Sequence, residues 1–491
     1  MKNIIACFIA LAFSGSVVAD STKTTQAIED KSITKHSVTI KGKKVNYTAT
    51  AQYTTLNKDG QPDAKLFSIT YTKDGVKDTS KRPVAFFYNG GPGSSSVWLH
   101  MGAWGPEKII LPSDAKDDGA APFNIAANND SLLDVTDMVF IDPIGTGFSH
   151  TVGDGEGKTY WGLREDAASV ATFIRTWLRR NGRWNSPKYI GGESYGTTRS
   201  AMLINALEGR YDDVSINGII LISTILDFSV YAYAEGAELA YMTALPTMAA
   251  TAQYHGKAGG GVPLADFVEQ ARQFAVEDYA PALLLGSKLK GKKREEILKG
   301  LMKFTGLSKR YLELANLRVH YQEFNRELLR DEGYSVGRLD SRFKGKEVVG
   351  NSERPEIDPS FYGIDGGYTA ALNHWVRDRL KFNPDREYTI IGGVRSWNWK
   401  IGTGMWREPY MNVTQFIGKA MRGNKDLRVF NAAGYYDFAT PLLGAEYALD
   451  RSGIDPARVT YTYYPAGHMM YIHHPSLKQL NDDIRSFING Q

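Results

Sequence analysis

Between Lys188 and Leu207 the chain has to reverse from one element into another in almost no space. The short run Lys188–Ile190 leads into Gly191-Gly192-Glu193-Ser194-Tyr195-Gly196, and a helical pattern from Thr197 to Leu207 follows at once. A strand that passes into a helix through so sharp a turn needs small residues around its apex, and G-x-S-x-G supplies them. The helix start behind the turn favours negative charge developing in front of it. This junction demands a buried strand on one side and a packed helix on the other, so it constrains the architecture of the whole chain.

The flanking sequence obeys that demand. Pro83–Tyr88, Met138–Ile141 and Gly218–Ser223 are short apolar runs, as expected of strands buried on both faces of a parallel or mixed sheet. Between them, Leu163–Arg180 places Ala167, Val170, Ala171, Ile174, Trp177 and Leu178 on one helical face. Upstream, His36–Thr72 alternates polar and apolar residues, with turns at Lys41-Gly42-Lys43 and Lys58-Asp59-Gly60, which predicts antiparallel strands. The rhythm stops near Thr224. Helical spacing then dominates, notably over Leu264–Leu285 and Ser308–Leu329, and the basic run Lys288–Arg294 reads as a solvated connection. Strand patterns resume at Leu427–Asn431 and Val459–Tyr464. The expectation is an α/β chain with a central mixed, mostly parallel sheet. Its segments are a first core part over 36–224, a mostly helical cap insertion over 225–380 and a second core part over 381–491.

The first residues read as an export signal. Lys2 is a positive start, Ile4–Phe13 is apolar, and Val17-Val18-Ala19 is a small-residue cleavage site, so residues 1–19 are expected to be removed and 20–35 to form a flexible lead-in. The apolar run is shorter than the roughly 20 residues a membrane-spanning helix needs. Cys7 is the sole cysteine, and the processed chain would then hold no disulfide, metal thiolate or cysteine nucleophile. Net charge is only +4 over 491 residues, too weak to argue for nucleic acid or an anionic membrane surface as partner. A bacterial periplasmic or secreted protein without a stable membrane anchor, monomeric or homodimeric, fits this pattern.

Ser194 requires a base, and the base requires an orienting acid. Two downstream strands end in suitable residues. Leu427–Asn431 runs on to Asp437, and Val459–Tyr464 runs on to His468, so both side chains would emerge just past strand ends, where sites gather in open α/β sheets. His473 and His474 are rivals for the base but lie away from a strand end. Asn89-Gly90-Gly91-Pro92-Gly93 directly follows the Pro83–Tyr88 strand, and its glycines allow close approach of the backbone. The N–H groups of Gly91 and Tyr195 are the candidate oxyanion donors. None of this chemistry calls for a metal or cofactor.

At this point the motifs resemble the serine carboxypeptidase family. NGGPGSSS (89–96), IDPIGTGFS (141–149), GGESYG (191–196), AAGYYDFATP around Asp437 and PAGHMM around His468 occur in the family's order, over roughly residues 83–475. The resemblance implies an α/β-hydrolase fold with an inserted helical cap, and release of C-terminal residues from peptides. It also implies that Asn89 and a protonated Glu193 bind the substrate's terminal carboxylate. Burial raises a carboxyl pKa and turns it into a donor.

Three departures from the family pattern stand out. The position of the family's second glutamate falls at Ala103, so the carboxyl pair is incomplete and a less acidic activity optimum is expected. Ser94 replaces a cysteine. The elbow continues as Thr197-Thr198-Arg199, which brings a cation one turn beyond the nucleophile. Arg199 is therefore a candidate for assisting the substrate carboxylate, against the alternative of a salt bridge that holds the helix. The activity implied is a serine-type carboxypeptidase. An esterase, amidase or acyltransferase on the same scaffold, or a peptide-binding protein without turnover, are the alternatives.

Overall fold

Two tight turns set the start of the sheet. Lys41 and Gly42, then Asp59 and Gly60, adopt positive φ, the geometry of hairpin turns whose twist matches that of the flanking strands. The computed structural model describes residues 30–116, 119–208, 211–234, 236–361, 364–401 and 410–490. The expected signal at 1–19 and the lead-in up to residue 29 lie outside the described residues. Strand β1 (Lys31–Ile40) pairs antiparallel with β2 (Lys43–Lys58), from Lys31 opposite Gln52 to Ile40 opposite Lys43. It therefore starts inside the expected lead-in. Backbone pairing holds its polar first half, where apolar alternation gave no signal.

β2 pairs with β3 (Gln61–Lys73). The sheet continues with β4 (Val84–Tyr88), β5 (Asp137–Ile141), the short β6 (His150–Thr151), β7 (Lys188–Ser194), β8 (Gly218–Thr224), β9 (Arg428–Gly434) and β10 (Val459–Tyr464). The spatial order is β1-β2-β3-β5-β4-β7-β8-β9-β10, with β6 against β3. β5, β4, β7, β8, β9 and β10 run parallel to their neighbours in that order. The sheet is thus mixed and mostly parallel, as expected.

Alternation across the pleat divides the interior in two. Ala85, Phe87, Phe140, Ile220 and Phe430 face one cluster, which the C-terminal helix His474–Asn489 covers with Leu477, Leu480 and Ile484. Val84, Phe86, Val139, Ile190 and Leu221 face the other, covered by helix α1 (Leu163–Asn181) and helix α2 (Tyr195–Leu207). Both faces are buried, which explains why β4, β5 and β8 lack exposed residues.

Between β8 and β9 the chain is mainly helical, and a third cluster forms from Leu239–Tyr254, Leu264–Gln273, Gly291–Thr305 and their neighbours. The single helical span read over Ser308–Leu329 is two helices, Lys309–Leu314 and Tyr321–Glu327. Asn316 and Leu317 between them take positive φ, and His320 and Glu323 form a capping box that restarts the helix. Leu317 is buried and its carbonyl accepts the Tyr279 hydroxyl, so tertiary contact overrides the helical period. The basic run Lys288–Arg294 spans the start of helix Gly291–Thr305 and is largely exposed.

A buried charge cluster holds the lower end of the sheet. Asp137 accepts from Arg82 Nε at 3.0 Å and from Arg183 Nη1 at 2.5 Å, with all three side chains buried. Removing the shared acid leaves two buried guanidinium groups without it. Asp137→Ala is expected to lower the unfolding free energy by about 3–5 kcal/mol, measured by urea denaturation; a loss below about 1 kcal/mol would contradict the assignment.

Candidate active site

Ser194 closes β7, which lies between β4 and β8 in the parallel part of the sheet. It adopts φ 58° and ψ −127°, a conformation L-residues rarely take, and helix α2 begins at the next residue. Surrounding contacts hold it there. The Thr197 hydroxyl donates to the Ser194 carbonyl at 2.7 Å, and the Thr198 hydroxyl donates to the Ile225 carbonyl at 2.6 Å, tying the elbow to the end of β8. Tyr195 is the first helical residue, so its N–H precedes the intrahelical ladder.

The loop after β4 presses directly on this elbow. A Cβ on Gly90 would stand 2.5 Å from the Tyr195 nitrogen and 2.8 Å from the Gly196 nitrogen, so the position admits only glycine. Gly91 follows with φ 102°. The loop is pinned from outside as well. Asp142, in the 141–149 motif, accepts from the Ser96 N–H and hydroxyl at 2.9 Å each and from Tyr388 at 3.1 Å. The Ser95 N–H donates to the Ile390 carbonyl at 2.9 Å.

Asp437 and His468 meet as the strand-end positions suggested. His468 Nδ1 lies 2.8 Å from Asp437 Oδ2. The Asp437 carboxylate also accepts from the Thr440 hydroxyl at 2.5 Å and from the N–H groups of Ala439 and Thr440 at 2.7 and 3.0 Å. Both side chains are buried. Burial favours the neutral form of each, but the contacts prevail. Asp437 is held below the ordinary carboxylate range by His468 and Thr440, and His468 is raised above the ordinary imidazole range by Asp437. His473 bonds Ser476 at the start of the last helix, and the His474 N–H donates to Ser113. Neither lines the cleft.

Ser194, His468, Glu193, Asn89, Gly90 and Gly91 all line one cleft of about 390 Å³. Its walls are largely apolar, with Trp98, Phe361, Ile357, Ile391 and Met469. Burial pushes the Glu193 carboxyl up to about 7, against the opposing pull of His468 and of the Tyr471 hydroxyl. Asn89 Oδ1 accepts from the Leu99 N–H at 3.1 Å, and its buried amide lies beside Glu193 and Tyr471. Among the described residues, no group of three or more His, Cys, Asp or Glu could hold a metal ion.

Two expectations change. Arg199 does not reach the cleft. It is buried between the Tyr88 and Tyr195 rings, with Nε on Asp166 Oδ2 at 2.6 Å and Nη1 on the Asn89 carbonyl at 2.5 Å. It is a salt bridge that also holds the backbone of Asn89 from below. Glu193, in turn, is not left without a partner by Ala103. Ala103 lies in the buried helical turn Leu99–Trp104, and Tyr471 donates its hydroxyl to Glu193 Oε2 at 2.6 Å. A Cβ on Gly102 would stand 2.8 Å from the Tyr471 ring, so this tyrosine fills the space beside the 102–103 segment. Sequence reading missed Tyr471; its one signal is that it follows His468 by a single turn.

A mostly parallel sheet with helices on both faces, a strained serine at the end of a central strand, and an Asp–His pair from the next two parallel strands but one define an α/β-hydrolase. Residues 40–258 match the model of the serine carboxypeptidase family; Asp437 and His468 lie beyond the matched stretch. Similar curated proteins include Serine carboxypeptidase-like 20 of Arabidopsis thaliana, 27% identical over 182 residues, which are 36% of this chain and 35% of that one. Serine carboxypeptidase-like 29 of the same plant is 31% identical over 124 residues, 25% of this chain and 24% of that one. The matched stretches thus span about a third or less of those relatives' length. Among solved structures, Kex1(Δ)p, a prohormone-processing carboxypeptidase from Saccharomyces cerevisiae, superposes with a TM-score of 0.53 at 14% identity, covering 90% of this chain and 91% of that one. That likeness shows the shared fold.

The strained turn and the shared cleft make Ser194 the expected target of a fluorophosphonate. Labelling of folded wild type is expected to be stoichiometric and to vanish in Ser194→Ala, read by intact mass; unlabelled wild type would refute an activated nucleophile.

Proposed function

We propose that the chain is an exported serine-type carboxypeptidase that releases C-terminal residues from peptides. The observation that carries this reading is the buried Glu193, its carboxyl raised to about 7 in the cleft that also holds Ser194 and His468. A protonated carboxyl beside the Asn89 amide offers donors to a terminal carboxylate, which a simple esterase site does not need. Export rests on the signal-like residues 1–19. We assign residues 225–380 as the cap, and its Arg338, Leu339, Ile357, Asp358 and Phe361 line the cleft.

The chemistry runs through the triad. His468 Nε2 accepts the Ser194 proton as Oγ attacks the scissile carbonyl carbon. The N–H groups of Gly91 and Tyr195 stabilise the resulting oxyanion. The C–N bond then breaks, His468 returns its proton to the leaving amine, and the acyl group stays on Ser194. Water, deprotonated by the same imidazole, releases the acid and regenerates the serine. Asp437 keeps Nδ1 protonated and stabilises the transient imidazolium. Because Ala103 leaves no second carboxyl here, acyl transfer to or from simple esters is the competing reading.

Mass analysis of a digested peptide panel is expected to show residues lost one at a time from the C-terminus. Cleavage of esters with no trimming of peptides would favour the competing reading. The pH dependence follows from Glu193. Below about 7 its carboxyl is neutral and donates; as pH rises through that value it ionises and repels the substrate's carboxylate. The kcat/KM for blocked dipeptides with free C-termini is expected to fall above about pH 7, and that limb should be absent for the matching C-terminal esters. A fall already complete near pH 5 would contradict the assignment.

A further inference from the structure

The cleft contains a cation that the triad does not use. Arg338 lines it together with Ser194, Glu193 and His468. Its side chain is half-buried, and among the described residues no hydrogen bond, ion pair or ring contact engages its guanidinium. The backbone on which it stands is fixed. The Phe438 N–H donates to the Arg338 carbonyl at 3.0 Å, and the His468 N–H donates to the Leu339 carbonyl at 2.6 Å. The residue after the catalytic acid and the catalytic histidine itself therefore hold this segment against the triad.

Asp358 also lines the cleft wall, and its carboxylate is turned to the loop backbone and forms no ion pair with Arg338. Oδ1 accepts from the Arg338 N–H at 3.0 Å, the Ser360 N–H at 3.0 Å and the Ser360 hydroxyl at 2.5 Å. Oδ2 accepts from the Leu339 N–H at 3.4 Å. Asp358 thus shapes the loop and leaves the guanidinium facing the cavity. A planar fork of N–H donors set in a mostly apolar cleft is a carboxylate receptor. Arg338 lies on the His468 side, where the leaving amine must sit to receive its proton. Its charge reaches that imidazole, opposing the pull of Asp437.

We propose that Arg338 receives a carboxylate carried by the departing residue, either its α-carboxylate or an acidic side chain. This rests on the carboxypeptidase reading and sharpens it. Where a second acid would have shared a proton with Glu193, the cap supplies a permanent positive charge to the same cleft.

The test uses Arg338→Gln and Arg338→Lys in the full-length protein, with blocked dipeptides ending in Leu, Gln or Glu, the C-terminal amide of the Leu compound, and a blocked amino-acid ethyl ester. In Arg338→Gln the kcat/KM ratio of carboxylate-bearing peptide to ethyl ester is expected to fall at least tenfold, mainly through KM, with partial recovery in Arg338→Lys. A fall for the Leu acid but not for its amide assigns the α-carboxylate. A fall confined to Glu against Gln assigns the side chain. Equal losses on ester, amide and acids, or no change on any, would overturn the proposal. Should wild type hydrolyse the ester but none of the free-acid dipeptides, the carboxypeptidase reading fails first and takes this one with it.

Discussion

Two backbone segments come within contact at the end of β7, and the site depends on that approach. Gly90 lies so close to the Tyr195 and Gly196 nitrogens that no side chain fits between them. Each participant is held from a different direction. Arg199, anchored by Asp166, donates to the Asn89 carbonyl from beneath the sheet. Asp142 ties Ser96, and the strand-like segment near residue 390 bonds Ser95 from above. The strained φ of Ser194 persists because all of these contacts over-determine it. A displacement of any one would move the Gly91 and Tyr195 N–H groups proposed as oxyanion donors.

Around that point the charges are separated by environment. Asp437 is buried but surrounded by donors, so it stays ionised and raises His468. Glu193 is buried with fewer donors, and burial wins. Two acids in one site thus take opposite protonation states near neutral pH, the condition for one to orient a base while the other donates to a ligand. Tyr471 moderates the second acid. Its phenol, raised far above the ordinary range by burial, keeps its proton and can only donate to Glu193.

Legibility followed the range over which each feature is determined. Ser194, Asp437 and His468 could be placed because each follows a strand whose apolar run is visible locally, and the parallel order of β7, β9 and β10 brings their ends to one edge. The type of sheet was legible for the same reason. The break at Asn316–Leu317 was not, since the buried Leu317 and its bond from Tyr279 come from a helix more than thirty residues earlier. Nor was the start of β1 at Lys31, where pairing with β2 rather than apolar burial holds the strand.

Arg199 shows the same division at the level of one residue. Its spacing from Ser194 is a property of the chain, and that spacing alone permitted either a ligand contact or a helix-holding ion pair. The direction of its side chain depends on Asp166 from helix α1 and on the Asn89 carbonyl from the loop after β4, and those neighbours exist only in the folded molecule. The sequence by itself determined the elbow, the strand-end acid and base, and the glycine loop, because each is a short-range solution to a backbone problem. The tertiary structure alone decided that Tyr471 would partner Glu193, that Arg199 would lie beneath the site and that Arg338 would face the cleft. Those outcomes depend on which distant segments the fold brings together around the site, and burial there favours paired charges such as Arg199 with Asp166.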